Sequence, residues 1–240
     1  MGAGRGLAAA RTRRPGLSDV GGRELVAALA AGRTPERPPY LPLIGRIAAV
    51  LAQVDETDLR TLPRVHAAAV LEAATALAAD VVSVGVGMRA EDSLEALTRV
   101  APLLGGRATA ACLAEPDPAA IRAHCEAGAD MVLLVSPTER RPARFRTAAN
   151  LCRFYGRPLI LVDPDADDCA ALAADLGCDG AVVAAPSGSE PGIVGGGLVA
   201  SAGAEPVAPR ADRFFWAFAG EVPADASPEV LGALGRRLTG

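Results

Sequence analysis

The chain has no lysine; all 24 of its basic residues are arginine. That absence removes whole chemistries, because a P-loop, a Schiff-base aldolase and a pyridoxal-phosphate enzyme each depend on a lysine amine. Cysteine is sparse and badly spaced. Cys112, Cys125, Cys152, Cys169 and Cys178 are odd in number and contain no C-x-x-C pair. A disulfide scaffold needs paired cysteines in a short secreted chain, and a structural zinc site needs close ligand pairs. Most of the five lie in apolar stretches and read as small buried hydrophobes of a protein in the reducing cytoplasm. No apolar run reaches the roughly 18 unbroken residues of a membrane span. A basic surplus is missing too: the net charge is −4, which argues against a general nucleic-acid binder.

What is present suits a folded core, since half of the 240 residues are hydrophobic and composition of that kind excludes wholesale disorder. Residues 1–17 are rich in arginine and lack the apolar centre of a signal peptide, so they read as a flexible leader before a single domain, 18–240. From there the pattern alternates. Helical spacing is predicted over Asp19–Ala31, Arg64–Ala79, Ala90–Leu104, Asp117–Ala127, Arg144–Tyr155, Asp167–Leu176 and Pro228–Leu238. Strands are predicted at Tyr40–Ile44, Asp80–Val86, Ala108–Leu113, Met131–Val135, Pro158–Val162, Gly180–Ala185, Ile193–Ala200 and Arg213–Ala219. The all-apolar runs among them fit parallel strands covered on both faces. The seventh is weakened by Gly195-Gly196-Gly197. Eight strands alternating with helices predict a single (β/α)8 TIM barrel, with a doubly wound open sheet as the alternative. Gly128-Ala129-Asp130 and Gly177-Cys178-Asp179-Gly180 recur between helix and strand as turns with glycine at the helix end.

In a barrel, chemistry belongs at the C-terminal ends of the strands. Those positions offer arginines and carboxylates and no histidine. Arg46, after the first strand, could clamp a carboxylate or phosphate through its fixed guanidinium, or could simply begin a helix. Arg140 and Arg141 open a denser basic patch with Arg144 and Arg146, which reads either as an anion site or as a solvated face. Asp163 ends a wholly apolar strand, a placement that suits acid–base work, although Asp163, Asp165 and Asp167 could equally cap the next helix. Glu221 is a second acid or base candidate, or a turn residue before Pro223. His66 and His124 fall on helices and read as surface or packing residues. Trp216, the only tryptophan, is expected near the mouth.

Several phrases resemble the uroporphyrinogen decarboxylase superfamily. Arg23-Glu24-Leu25-Val26-Ala27-Ala28-Leu29, Arg33-Thr34-Pro35-Glu36-Arg37-Pro38-Pro39 and Gly45-Arg46 look like its opening. Ala127-Gly128-Ala129-Asp130 and Pro158-Leu159-Ile160-Leu161 are similar to its middle strands, and 220–229 to its end. The resemblance implies a (β/α)8 barrel and a decarboxylase acting without a cofactor on an anionic, tetrapyrrole-type substrate. Arg46, Arg140 and Arg141 would hold that substrate, and Asp163 or Glu221 would move the proton. The chain departs from the pattern at three points. Only Arg46 matches the paired arginines of the first loop, Ser83–Gly87 offers no carboxylate, and the zinc ligands of the methyltransferase branch are replaced by Val162, Asp163, Pro164 and Gly220. A non-catalytic barrel serving as a binding or partner module, or a methyltransferase-branch relative lacking the zinc site, is therefore the other expectation, and a homodimer or a partner protein is expected as the assembly.

Overall fold

The structure is a computed structural model that describes residues 20–163, 169–183, 194–197, 214–222 and 224–239. The expected leader 1–17, Pro164, Asp165 and Asp167 lie outside the described residues. Eight strands form one sheet: β1 (Tyr40–Leu43), β2 (Val81–Val84), β3 (Ala108–Leu113), β4 (Met131–Val135), β5 (Leu159–Val162), β6 (Gly180–Val183), β7 (Val194–Gly197) and β8 (Phe214–Glu221). Their spatial order is β1-β8-β7-β6-β5-β4-β3-β2. The helices are α1 (Gly22–Ala30), α2 (Arg46–Ala52), α3 (Glu56–Thr61), α4 (Pro63–Ala76), α5 (Ala90–Val100), α6 (Pro118–Glu126), α7 (Pro142–Phe154), α8 (Cys169–Leu176) and α9 (Pro228–Thr239). Among the described residues no helix is long and apolar enough to cross a membrane.

Alternation along the strands sorts the core into layers. Leu41, Leu43, Ala110, Cys112, Met131, Leu133, Ile160 and Val162 gather in one inner cluster, joined by Val26 and Leu29 of α1. Their neighbours in sequence, such as Val132, Leu134, Leu159 and Leu161, pack outward with Phe145 of α7 and Ile121 of α6. The sheet therefore packs helices α6 and α7 on one face and an apolar cluster on the other, with α1 set against the strand starts. The close approach of α1 requires Gly22, where a Cβ would lie 2.0 Å from the Asp80 carbonyl oxygen. All five cysteines are free and buried.

The two outermost strands, β1 and β2, meet through side chains rather than a regular ladder. The Tyr40 N–H donates to Asp80 Oδ2 at 2.9 Å and the Asp80 N–H returns to the Tyr40 carbonyl at 3.1 Å. Further along, Ser83 Oγ accepts from the Ile44 N–H at 2.7 Å and donates to the Pro42 carbonyl at 3.0 Å. Pro42 explains the substitution: it has no N–H to give, and the β1–β8 register shifts beside it, between Leu41 and Leu43.

The expectation of a strict (β/α)8 barrel is corrected at β7, which runs antiparallel to both β6 and β8. The reason is visible in the connection. Parallel strands need a crossover of about a dozen residues or more, whereas β6 and β7 are separated only by the ten residues 184–193, which include Pro186, Gly188, Pro191 and Gly192. The remaining ladders are parallel. Two helices, α2 and α3, add to the expected set. The second starts where Asp55 accepts the Thr57 N–H at 2.7 Å, a short capped turn rather than a long periodic stretch.

Candidate functional site

At the C-terminal ends of the strands, the chain places its chemistry in two groups. The first lies at the exits of β1 and β2. Gly45, two residues after β1, caps α2, so Arg46 is the first residue of that helix. Its Nε donates to Glu56 Oε1 at 3.1 Å, and Arg60 reaches the same oxygen at 2.9 Å. Arg60 also presses on the β2 exit, where a Cβ on Gly87 would come within 2.3 Å of its guanidinium. Arg60 and Glu56 were missed as site residues from sequence. Their signal was the Asp55 cap followed by acid and base four apart on one helical face.

The second group surrounds the β4 and β5 exits. Asp163 follows β5, its side chain 1% exposed, and accepts from Arg140 Nη2 at 2.7 Å, while Arg140 itself remains 49% exposed. Asp163 falls in phase with Leu159 and Leu161, which face the helices, rather than with inward-facing Ile160 and Val162. The loop carrying Arg140 is braced from β3: Glu115 accepts the Thr138 N–H at 3.3 Å, the Thr138 hydroxyl, and the Glu139 N–H at 3.2 Å. Glu139 in turn holds Arg144 at 2.9 Å and Arg141 at 3.5 Å. Arg141, at the cap of α7, is 82% exposed, so this part of the basic patch is a solvated, ion-paired face. Ser136 enters the loop with φ 46° and donates its N–H to the Val162 carbonyl at 2.8 Å.

Glu221 ends β8 with its backbone opposite Leu43, and the following Val222 N–H donates to the Leu43 carbonyl at 3.0 Å. The structure thus brings Arg46, Arg140, Asp163 and Glu221 to the same end of the sheet, with Arg46 engaged at one exit and Arg140 with Asp163 at another. Trp216 is at the opposite end. Its register partner is Tyr40, the first residue of β1, because β8 begins two residues before it.

Both histidines are buried beneath the β2 exit rather than on the surface. His66 Nε2 accepts the Gly85 N–H at 2.9 Å and Nδ1 faces the Leu59 carbonyl at 3.1 Å. One ring nitrogen must accept and the other donate, so the ring is neutral. Burial agrees, pulling its pKa from 6.5 down to about 4. His124 Nε2 meets Ser93 Oγ at 3.1 Å, its Nδ1 the Ala120 carbonyl at 2.7 Å, and burial again lowers its pKa. Ser93 packs on Gly85 itself. The two histidines are scaffolding for one exit loop. Among the described residues, no group of three or more His, Cys, Asp or Glu could hold a metal ion.

No family model and no curated protein matches the chain. Among solved structures it is similar in part to the crystal structure of 3-hexulose-6-phosphate synthase, with 20% identity and a TM-score of 0.41 over 48% of this chain and 58% of that one. The chain spans little more than half the length of that structure.

Proposed function

We propose that the chain binds an anionic, carboxylate-bearing small molecule at the C-terminal ends of its strands and acts on it as a decarboxylating carbon–carbon lyase. In this reading the sheet works as a barrel in which the reversed β7 replaces one β/α unit. One observation carries the proposal: a buried aspartate, Asp163, grips a half-exposed arginine, Arg140. A buried ion pair is a poor device for merely holding a loop, since packed apolar side chains do that at equal or lower free energy. It is a good device for orienting a guanidinium whose other N–H groups remain available to a planar anion. Asp163 is then a positioning residue, in keeping with its helix-facing phase, and the acid of the reading is Glu221. In the reaction the bond to the departing carboxylate breaks, carbon dioxide leaves, and the electron pair left on carbon takes a proton from that acid.

A second reading is favoured by a separate observation. Arg46 and Arg141 are engaged by Glu56 and Glu139, which suits a barrel that binds an anion without turning it over. Anaerobic incubation with uroporphyrinogen, the substrate class suggested by the family resemblance, separates the two. Binding is followed by calorimetry and carboxyl loss by mass analysis. Carboxyl loss abolished in Arg140→Ala and Glu221→Gln supports the lyase. Binding that weakens more than tenfold in Arg140→Ala without turnover supports the module. Absence of both overturns the proposal.

A further inference from the structure

Three aspartates repeat one device at the strand starts, and the middle one departs from it. Asp80, Asp130 and Asp179 each precede an even-numbered strand, and each ties it to the strand before. Their carboxylates accept the N–H groups of Tyr40, Thr109 and Leu159 at 2.9, 2.9 and 3.0 Å, and their own N–H groups return to the carbonyls of the same residues. Each aspartate also takes arginine. Arg37 meets Asp80 bidentately at 2.7 and 2.8 Å, and Arg153 meets Asp179 through Nε and Nη2, both at 2.7 Å. These two acids are matched one to one.

Asp130 instead faces two arginines, neither of them close. Arg23 Nε lies 3.3 Å from Oδ2 and Arg157 Nη1 lies 3.4 Å from Oδ1. Oδ2 is already shared with the Thr109 N–H and hydroxyl. Two cations therefore share one carboxylate. They border a cavity of about 200 Å3 between α1 and the strand starts, lined otherwise by small or apolar residues such as Gly156, Ala27 and Ala30. Among the described residues the buried Nε of Arg157 has no hydrogen-bond partner, a feature it shares with the Nε of Arg37 beside Asp80. A buried donor without an acceptor is costly, and among the described residues no acid other than Asp130 lines the cavity.

We propose that this cavity is a binding site for a small oxyanion of the phosphate or sulfate kind, held between Arg23 and Arg157. The excess positive charge and the planar donors that border the cavity call for an acceptor-only ligand. The bound oxyanion ties α1, through Arg23, to the β4–β5 end of the sheet, and stabilises the fold by mass action. The site is at the opposite end of the strands from Arg140, so it stands independently of the proposed activity.

The test is thermal unfolding of the full chain in sodium phosphate against sodium chloride at matched ionic strength, with phosphorus NMR line broadening as a second readout. A saturable rise of about 3–5 °C is expected at tenfold excess over Kd. Arg157→Met and Arg23→Met are expected to lose it, and Arg140→Ala to keep it. A rise that persists undiminished in both methionine variants, or no saturable rise and no broadening, overturns the site. Loss of the effect in Arg140→Ala, with both methionine variants unaffected, assigns the anion to the mouth and likewise overturns it. If Arg157→Met does not fold, Arg23→Met carries the test.

Discussion

The two ends of the sheet use the same ingredients, aspartate and arginine, in opposite ways. At the strand starts, Asp80, Asp130 and Asp179 sit in the ladder itself and accept backbone N–H groups, so each acid is part of the hydrogen-bond register. At the strand ends, Asp163 touches an arginine on a loop that Glu115 props from the neighbouring strand. The aspartates at the starts accept both strand N–H groups and arginine, whereas Asp163 at the ends holds an arginine that lies on a loop. Charge that completes a ladder is structural, because removing it leaves buried backbone groups unsatisfied. Charge that orients a half-exposed arginine can be spared by the fold and used by a ligand.

The largest effect expected from that contrast is at the seam between β1 and β2. Asp80→Ala strands the Tyr40 N–H and a mostly buried Arg37, and is expected to cost about 3–5 kcal/mol in denaturant unfolding. If Asp163→Asn costs as much, the contrast between the ends is wrong. Acid is expected to loosen the β2 exit that His66 supports. His66 binds a proton near 6.5 when unfolded and only near 4 when folded, so the unfolded state holds more protons between those values. The contribution of His66 to stability is thus complete above pH 6.5 and is lost as pH drops towards 4, about 3 kcal/mol in total. Urea midpoints across that range are expected to slope steeply in the native chain and less in a folded His66→Gln variant.

Gly85→Ala strikes the same loop directly. Its φ is +89° and the added Cβ would lie 2.0 Å from Ser93 Oγ, for an expected cost of about 2 kcal/mol, read as a lowered unfolding midpoint. Asp163→Asn comes next, with about 1 kcal/mol lost, because Arg140 can rehydrate, and with a larger loss of anion binding than of stability. The smallest effect runs the other way. Ala78 occupies, at φ 53°, the place that Gly128 and Gly177 hold before the other two aspartates. Ala78→Gly is expected to stabilise by about 0.5 kcal/mol in calorimetry.

Much of the fold was legible because its signals are local. Met131–Val135 and Ala108–Leu113 are strands over the very residues that their apolar runs predict. The glycine turns before Asp130 and Asp179 end their helices as expected. The third copy escaped notice because alanine stands in for glycine at Ala78. The direction of β7 escaped for a different reason: a short run such as Val194–Gly197 reads the same in either sense, and direction is set by what the connection allows. At the site, residue types at strand ends identified Asp163 and Arg140, but their pairing joins separate strand exits and leaves no periodic trace. Trp216 was misplaced towards the mouth because strand length alone does not say which end of β8 meets Tyr40.

The sequence by itself determined the layers of this protein: which runs become strands, which faces turn to helices, and the absence of any lysine-based chemistry. Those follow from side-chain hydrophobicity and backbone preference, which act over a few residues. Tertiary structure alone decided the contacts between β1 and β2 through Pro42, Ser83 and Asp80, the reversal of β7, the burial of both histidines near Gly85, and the pairing of Arg140 with Asp163. Each depends on groups tens of residues apart satisfying one another in space, and only the folded chain brings them within hydrogen-bonding distance.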